Sequence, residues 1–158
     1  MLTLRSYKST DAAGLLDLFR DTIREINSTD YNPIQVDAWA SDGIGVEEWH
    51  NRFAGRFAYV AMLNDNIVGF ADMTKQGYLD RLYVSAQHQR QGIAMTLLAR
   101  LKSDASESGI AEIFTDASVT AKPFFEASGF ANVREQRVEC RGVEFINYRM
   151  TLSVDETG

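Results

Sequence analysis

The sequence predicts a mixed α+β fold, in which helices pack against a mostly antiparallel sheet with one parallel pair near its centre. Three observations carry that prediction. Short apolar or alternating runs, several of them bounded by turns rich in Gly, Asn and Asp, occur at the start, in the middle and towards the end of the chain. Amphipathic stretches with helical spacing lie before and between them. One such stretch, in which Ala94, Leu97, Leu98, Leu101 and Ala105 hold the helical period, joins two strand-like runs, and a strand-helix-strand crossover makes its two strands parallel.

In chain order, Leu2, Leu4 and Ser6 alternate as a first strand. Thr10 and Asp11 then supply a cap and a first-turn acid for a helix whose Leu15, Phe19, Ile23 and Ile26 form one buried stripe. Asn32-Pro33 opens a short second helix carrying Val36 and Trp39, because Asn caps and Pro suits the first helical position. Asp42-Gly43-Ile44-Gly45 breaks the chain before a helical stretch over 46–53. Phe57–Leu63 is nearly all apolar, Asn64-Asp65-Asn66 turns the chain back through 67–74, and Gln76-Gly77 leads into a third strand, Tyr78–Val84. After the crossover helix, which ends near Gly109, come a short strand at 111–115 and a brief helix at 121–128 closed by Gly129. A hairpin of 130–139 and 143–152, turned at Arg141-Gly142, completes the sheet. In its last strand Ile146, Tyr148, Met150 and Leu152 face a buried side, and Asn147, Arg149 and Thr151 face the other. Residues 1–152 are expected to form a single domain and 153–158 a frayed tail.

At 158 residues, with 45% hydrophobic and 24% charged side chains, the chain is long and apolar enough to bury one sizeable core. No apolar run reaches membrane-spanning length and the start has no export-signal pattern, so a soluble, cytoplasmic protein is expected. The formal net charge of −6 argues against nucleic acid or an anionic membrane as partner and mildly favours cationic substrates, although such an excess can also serve solubility alone. Cys140 is the only cysteine, which excludes an internal disulfide and a cysteine metal cage; His50 and His88 stand too far apart in sequence to point to a metal pair. No metal is expected.

The chemistry is concentrated after the third strand of the meander. Leu82-Tyr83-Val84 ends a strand, 85–91 is polar, and a helix begins with Gly92 and the small Ala94 in or beside its first turn. Unpaired N–H groups at a helix start, reinforced by the helix dipole, form an anion site, and glycine lets the ligand approach the backbone. Many helices begin near a glycine without binding anything, so the spacing is weak evidence on its own.

Gln89-Arg90-Gln91-Gly92-Ile93-Ala94, however, resembles the Gln/Arg-x-x-Gly-x-Gly/Ala signature of the GCN5-related N-acetyltransferases. Ala121-Lys122-Pro123-Phe124-Phe125-Glu126-Ala127-Ser128-Gly129-Phe130 is similar to that family's Ala-x-x-Phe-Tyr-x-x-x-Gly-Phe segment, in the same order along the chain. Tyr31, Trp39-Ala40, Tyr78-Leu79-Asp80 and Arg137-Val138-Glu139-Cys140-Arg141-Gly142 are further similar in style to its bacterial YafP-like branch. The resemblance implies the family's acyl-CoA N-acyltransferase fold with a splayed parallel pair, acetyl-CoA as cosubstrate, and direct acetyl transfer in a ternary complex. The acceptor would be an amine-bearing small molecule or peptide. By the same resemblance Gln89, Arg90, Gln91, Gly92, Ile93, Ala94 and Met95 hold the pyrophosphate, the backbone of Leu82, Tyr83 and Val84 holds pantetheine, and Ser118 and Phe125 contact the cofactor, the competing reading of Ser118 being a turn or capping residue.

Amine attack on a thioester requires a proton acceptor. Asp80 and Tyr78 share one side of an ideal strand close to the opened edge and are the expected catalytic pair; the competing reading makes Asp80 a partner of Arg81 or a backbone cap. Phe125 stands where the family often has a proton-donating tyrosine. It is expected near the sulfur, with Phe124 in the core and Thr120 as a helix cap. That replacement also motivates an alternative, a non-catalytic CoA-binding regulatory or interaction module. Tyr31 and Trp39, with Glu48 and Trp49, either line an acceptor pocket or pack conventionally. A homodimer is as compatible with the sequence as a monomer.

Overall fold

A computed structural model describes residues 1–154 of the chain. A seven-stranded sheet runs in the order β1-β2-β3-β4-β5-β7-β6, built from β1 (Leu2–Ser6), β2 (Phe57–Leu63), β3 (Asn66–Met73), β4 (Tyr78–Val84), β5 (Glu112–Ser118), β6 (Ala131–Cys140) and β7 (Val143–Ser153). Among the described residues only β4 and β5 pair in parallel. One face carries α1 (Ala12–Glu25), α2 (Pro33–Trp39) and α3 (Val46–Asn51), and the other carries α4 (Ile93–Glu107) and α5 (Lys122–Ala127).

Each helix begins and packs for local reasons. Asn32 caps α2 by accepting the Gln35 N–H at 2.8 Å, while Gln35 returns a bond to the Asn32 N–H. Leu15, Leu16, Phe19 and Ile23 of α1 bury against Trp49, Val60 and Phe70. Leu97, Leu98, Leu101 and Ala105 of α4 bury against Ala71, Met73, Leu79 and Ile113. Gly69 permits the close seat of α4: a Cβ there would stand 2.9 Å from Tyr83 O and 3.2 Å from Ile93 Cγ2.

Several expectations need correction. Thr10 does not cap α1: it lies inside a 3₁₀ turn, Ser9–Asp11, and Asp11 takes the N-cap position instead of the first turn, its carboxylate accepting a fork from Arg5 at 2.8 Å and the Lys8 N–H. β5 continues to Ser118 because β7 pairs with it along its whole length. Both faces of β7 are covered: Met150 joins the α4 core, but Phe145, on the side of Asn147 and Arg149, is buried with α1 to α3. Of the expected tail, Ser153 ends β7 and the Val154 N–H donates to Ala111 O at 2.8 Å; residues 155–158 lie outside the described residues.

The sheet also contains a buried charge cluster. Asp72, fully buried on β3, accepts from Arg81 Nε at 3.0 Å, Arg81 Nη2 at 2.5 Å and Arg56 Nη1 at 2.9 Å. The Arg81 guanidinium lies over both the Trp49 and the Phe53 ring, 4.5 and 4.2 Å from their centroids. Removing one partner strands the other's charge in a low-dielectric interior. Asp72→Ala is therefore expected to destabilise the fold by about 3–5 kcal/mol in urea unfolding. Arg137→Ala, which breaks the exposed pair with Glu144, should cost under about 1 kcal/mol.

Candidate active site

The site is organised by the separation of two strands. β4 and β5 pair only at Tyr78 with Phe114 and Leu79 with Thr115, where the Thr115 hydroxyl donates to Leu79 O at 2.8 Å. Beyond that point β5 stays with β7 and β4 stays with β3, so a wedge opens between them. A cavity of about 930 Å³ occupies it, walled by β4, β5, the start of α4 and parts of α1, α2, α5 and β7.

A bulge sets the direction of the β4 side chains. Arg81 faces Asp72 and Leu79 faces Met73, which leaves Asp80 as the extra residue. Leu79 and Leu82 therefore both pack toward the α4 core, while Tyr83 packs with α1 to α3. Asp80 and Tyr78 both line the cavity. Asp80 does not pair with Arg81: its Oδ2 accepts from Arg56 Nη1 at 2.6 Å and lies 3.6 Å from Arg52 Nη2. Among the described residues its Oδ1 accepts no side-chain bond.

The Tyr78 hydroxyl donates to Asp116 Oδ2 at 3.0 Å, on β5. Burial, then the charges of Asp80 and Asp116, raise the Tyr78 phenol well above its ordinary range, so it stays protonated. Asp116 also accepts from Gln136 at 2.9 Å and from Arg149 Nε at 2.7 Å. Burial opposes its ionisation, but the bonds from Arg149, Gln136 and Tyr78 outweigh it and hold the carboxyl below the usual range. Asp116 is thus a fixed anion whose two oxygens are both engaged. Tyr83 also lines the cavity, with its phenol raised by burial first and by Asp80 next.

At the other end, Gly92 adopts φ +79° in front of α4, with no atom within 4 Å of the position a Cβ would take. The Ile93, Ala94 and Met95 N–H groups find no acceptor among the described residues, as the first capped amide is Thr96, which donates to Gly92 O at 3.0 Å. Gln89 is turned inward: its amide donates to Val84 O at 2.7 Å and Ser85 O at 3.3 Å, shaping the loop. Arg90, Gly92, Ile93, Ala94 and Met95 line the cavity with Gln89, whereas Gln91 lies outside its wall. The backbone edge from Leu82 to Val84 borders the same space.

The remaining sequence candidates divide. Ser118 lines the cavity, and its Oγ accepts the Ala121 N–H at 3.0 Å; Thr120 is not the cap, since its hydroxyl donates to Asp30. Phe125 lines the cavity and is buried beside Phe124 and Phe130; Phe124 packs on the same core, also lines the cavity and is the more exposed of the two. Tyr31 and Trp39 line the cavity beside Phe145. Trp49 is fully buried under Arg81, and neither it nor Glu48 reaches the wall. Sequence reading missed Asp116, because it ended that strand at Thr115, and missed Arg52 and Arg56; the signal for the cluster was Asp72 and Arg81 inside apolar strands.

The residues present fit a CoA thioester in two separate ways. Free helix-start amides with an open approach at Gly92 suit a diphosphate, and an unpaired strand edge suits an amide-bearing arm. The profile of the acetyltransferase (GNAT) domain matches residues 27–152. The chain is 38% identical over 149 residues to the uncharacterized N-acetyltransferase YafP of Escherichia coli K12, covering 94% of each. A GCN5-related N-acetyltransferase from Rhodopseudomonas palustris superposes with TM-score 0.92 at 30% identity, over 96% of this chain and 94% of that one. The PaiA N-acetyltransferase of Thermoplasma acidophilum, solved with coenzyme A, has the same fold, with TM-score 0.79 at 16% identity over 97% and 99% of the two chains. The fold, the splayed strands and these matches together place the chain in the GNAT family, as an N-acetyltransferase.

Proposed function

We propose that this N-acetyltransferase uses acetyl-CoA and transfers the acetyl group directly to an amine held in the same cavity, with Asp80 as proton acceptor. The observation that carries the reading is the wedge between β4 and β5, which joins an anion-binding helix start at one end to paired aspartates and aromatic rings at the other. When bound, acetyl-CoA supplies a thioester carbonyl carbon open to attack by a neutral amine. The amides of Ile93, Ala94 and Met95 would hold its diphosphate, and the free edge from Leu82 to Val84 would align the pantetheine arm.

Asp80 Oδ1, free of side-chain bonds, takes the proton from the amine as the new carbon–nitrogen bond forms and the carbon–sulfur bond breaks. Arg56 orients the carboxylate by donating to its other oxygen, and the Arg52 guanidinium stands 3.6 Å from that oxygen without donating to it. Phe125 donates no proton, and the Tyr78 proton is committed to Asp116, so the sulfur departs as thiolate or takes its proton from water. Asp116 positions Tyr78 at the root of the wedge.

Three tests follow from this assignment. Gly92→Glu places a side chain and a negative charge at the diphosphate approach, and calorimetry should register a loss of acetyl-CoA affinity of about tenfold or more in a folded protein. Asp80→Asn should keep acetyl-CoA affinity within about twofold while lowering kcat by about a hundredfold, most visibly at low pH where the amine is protonated. Unchanged turnover would remove Asp80 from the mechanism. For Asp116, whose folded pKa is depressed, the stabilisation is complete above the unfolded carboxylate range, near about pH 4, and is lost as pH falls through the folded value. The stability gap between the wild type and Asp116→Asn should therefore be widest near neutrality and should narrow below about pH 4.

A further inference from the structure

The charge of the cavity runs against the charge of the chain. The chain carries a net −6, yet the cavity is lined by four arginines, Arg52, Arg81, Arg90 and Arg141, and by two aspartates, Asp80 and Asp116; Arg141 donates to Ala38 O at 2.7 Å. Arg81 is committed to Asp72, and Arg90 lies in the loop before α4, at the end assigned above to the diphosphate.

Arg52 is the guanidinium left over at the reacting end. Among the described residues Arg52, Arg56 and Arg81 share only Asp72 and Asp80 as ion-pair partners. Asp80 is taken at hydrogen-bond distance by Arg56, so Arg52, at 3.6 Å, is near enough to feel the charge and too far to donate to it. Its side chain is 43% exposed and forms part of the cavity wall. A positive and a negative group this close, each with bonding capacity unused, match a ligand whose own opposite charges are separated by one carbon atom.

The wall beyond is aromatic and rigid. Tyr31, Trp39 and Phe145 meet edge-on or tilted, with centroids 5.3 to 6.0 Å apart. The Tyr31 hydroxyl accepts the Val119 N–H at 2.8 Å and donates to Ile146 O at 3.1 Å, which fixes its ring. Such a surface selects flat apolar groups.

We infer that the acceptor is an α-amino acid with an aromatic or bulky apolar side chain: its amine faces Asp80, its carboxylate is read by Arg52, and its side chain lies against Tyr31, Trp39 and Phe145. This rests on the acetyltransferase reading above and names its substrate class. The amine proton goes to Asp80, the acetyl carbon bonds the amine nitrogen, and CoA leaves as thiolate, so the carboxylate takes part only in binding.

The test compares L-phenylalanine, phenethylamine, which lacks the carboxylate, and phenylalanine amide, which neutralises it, by release of free CoA from acetyl-CoA. L-Phenylalanine should exceed both in kcat/KM by about tenfold or more, since an Arg–carboxylate contact at a partly dry site is lost with either analogue. Arg52→Gln should reduce that ratio to within about threefold, and Arg52→Lys should recover part of it. Equal or better turnover of phenethylamine or the amide, turnover confined to amines of another class, or a preference that survives Arg52→Gln overturns the amino-acid assignment and leaves the acetyltransferase reading standing. A protein that binds acetyl-CoA in calorimetry but releases CoA with none of a broad amine panel overturns both.

Discussion

Two parallel strands that pair for two residues and then part are the constraint on which the rest of this structure depends. β4 and β5 are bonded only at Tyr78–Phe114 and Leu79–Thr115. Leaving buried N–H and C=O groups without partners is costly, on the order of 1–3 kcal/mol each, so the opened edge must be wetted, capped or filled by a ligand that pairs with it. The protein closes part of it from within: Thr115 donates to Leu79 O at the root, and Thr22 and Gln89 both donate to Val84 O at the far end. The groups between them face the cavity, where an extended amide-bearing chain can complete the ladder.

The bulge at Asp80 decides what faces the wedge. One extra residue lets Leu79 and Leu82 both reach the α4 core and turns Asp80 toward the arginines beside α3. The buried Asp72–Arg81 pair stabilises the two strands at the same level, and Arg56 links it to Asp80. Network and bulge form one device: the core charge pair holds Arg56, and Arg56 holds the carboxylate that faces the cavity. A second pair, Asp116 with Arg149, does the same for Tyr78 from the β5 side.

The two ends of the cavity handle charge by different means. At α4 the attraction for an anion comes from unpaired backbone amides and the helix dipole, helped by Gly92 keeping the approach clear. At the aspartate end, guanidiniums outnumber the carboxylates with which they cluster. An acidic surface around a locally cationic cavity is no contradiction, because exposed charges beyond a Debye length of about 8 Å are screened while those in a narrow, low-dielectric cleft are not. The net charge of the chain is therefore a poor guide to what enters it.

Much of the fold was legible in the sequence. The apolar runs, the turns at Asn64-Asp65-Asn66 and Arg141-Gly142, and the helical period from Ala94 to Ala105 depend on local chemistry, and the strands and helices fall where that chemistry put them. Gly92 and the helix start after it were legible for the same reason: a left-handed glycine before a helix is a local structure. Partnerships across the sheet were not. Asp80 could have joined Arg81, as its neighbour in sequence, but the bulge and the approach of α3 gave it Arg56 and Arg52 instead. Asp116, Phe145 and Gly69 acquired their roles from β7, α2 and α4 packing against them, contacts that join residues distant along the chain. By itself the sequence determined most of the elements, their order and the helix start at Gly92, because backbone preference and periodicity act over a few residues. Only the tertiary structure decided which charges meet and which carboxylate keeps an oxygen free, because long-range pairing depends on strand register, and a single bulge re-aims side chains along β4.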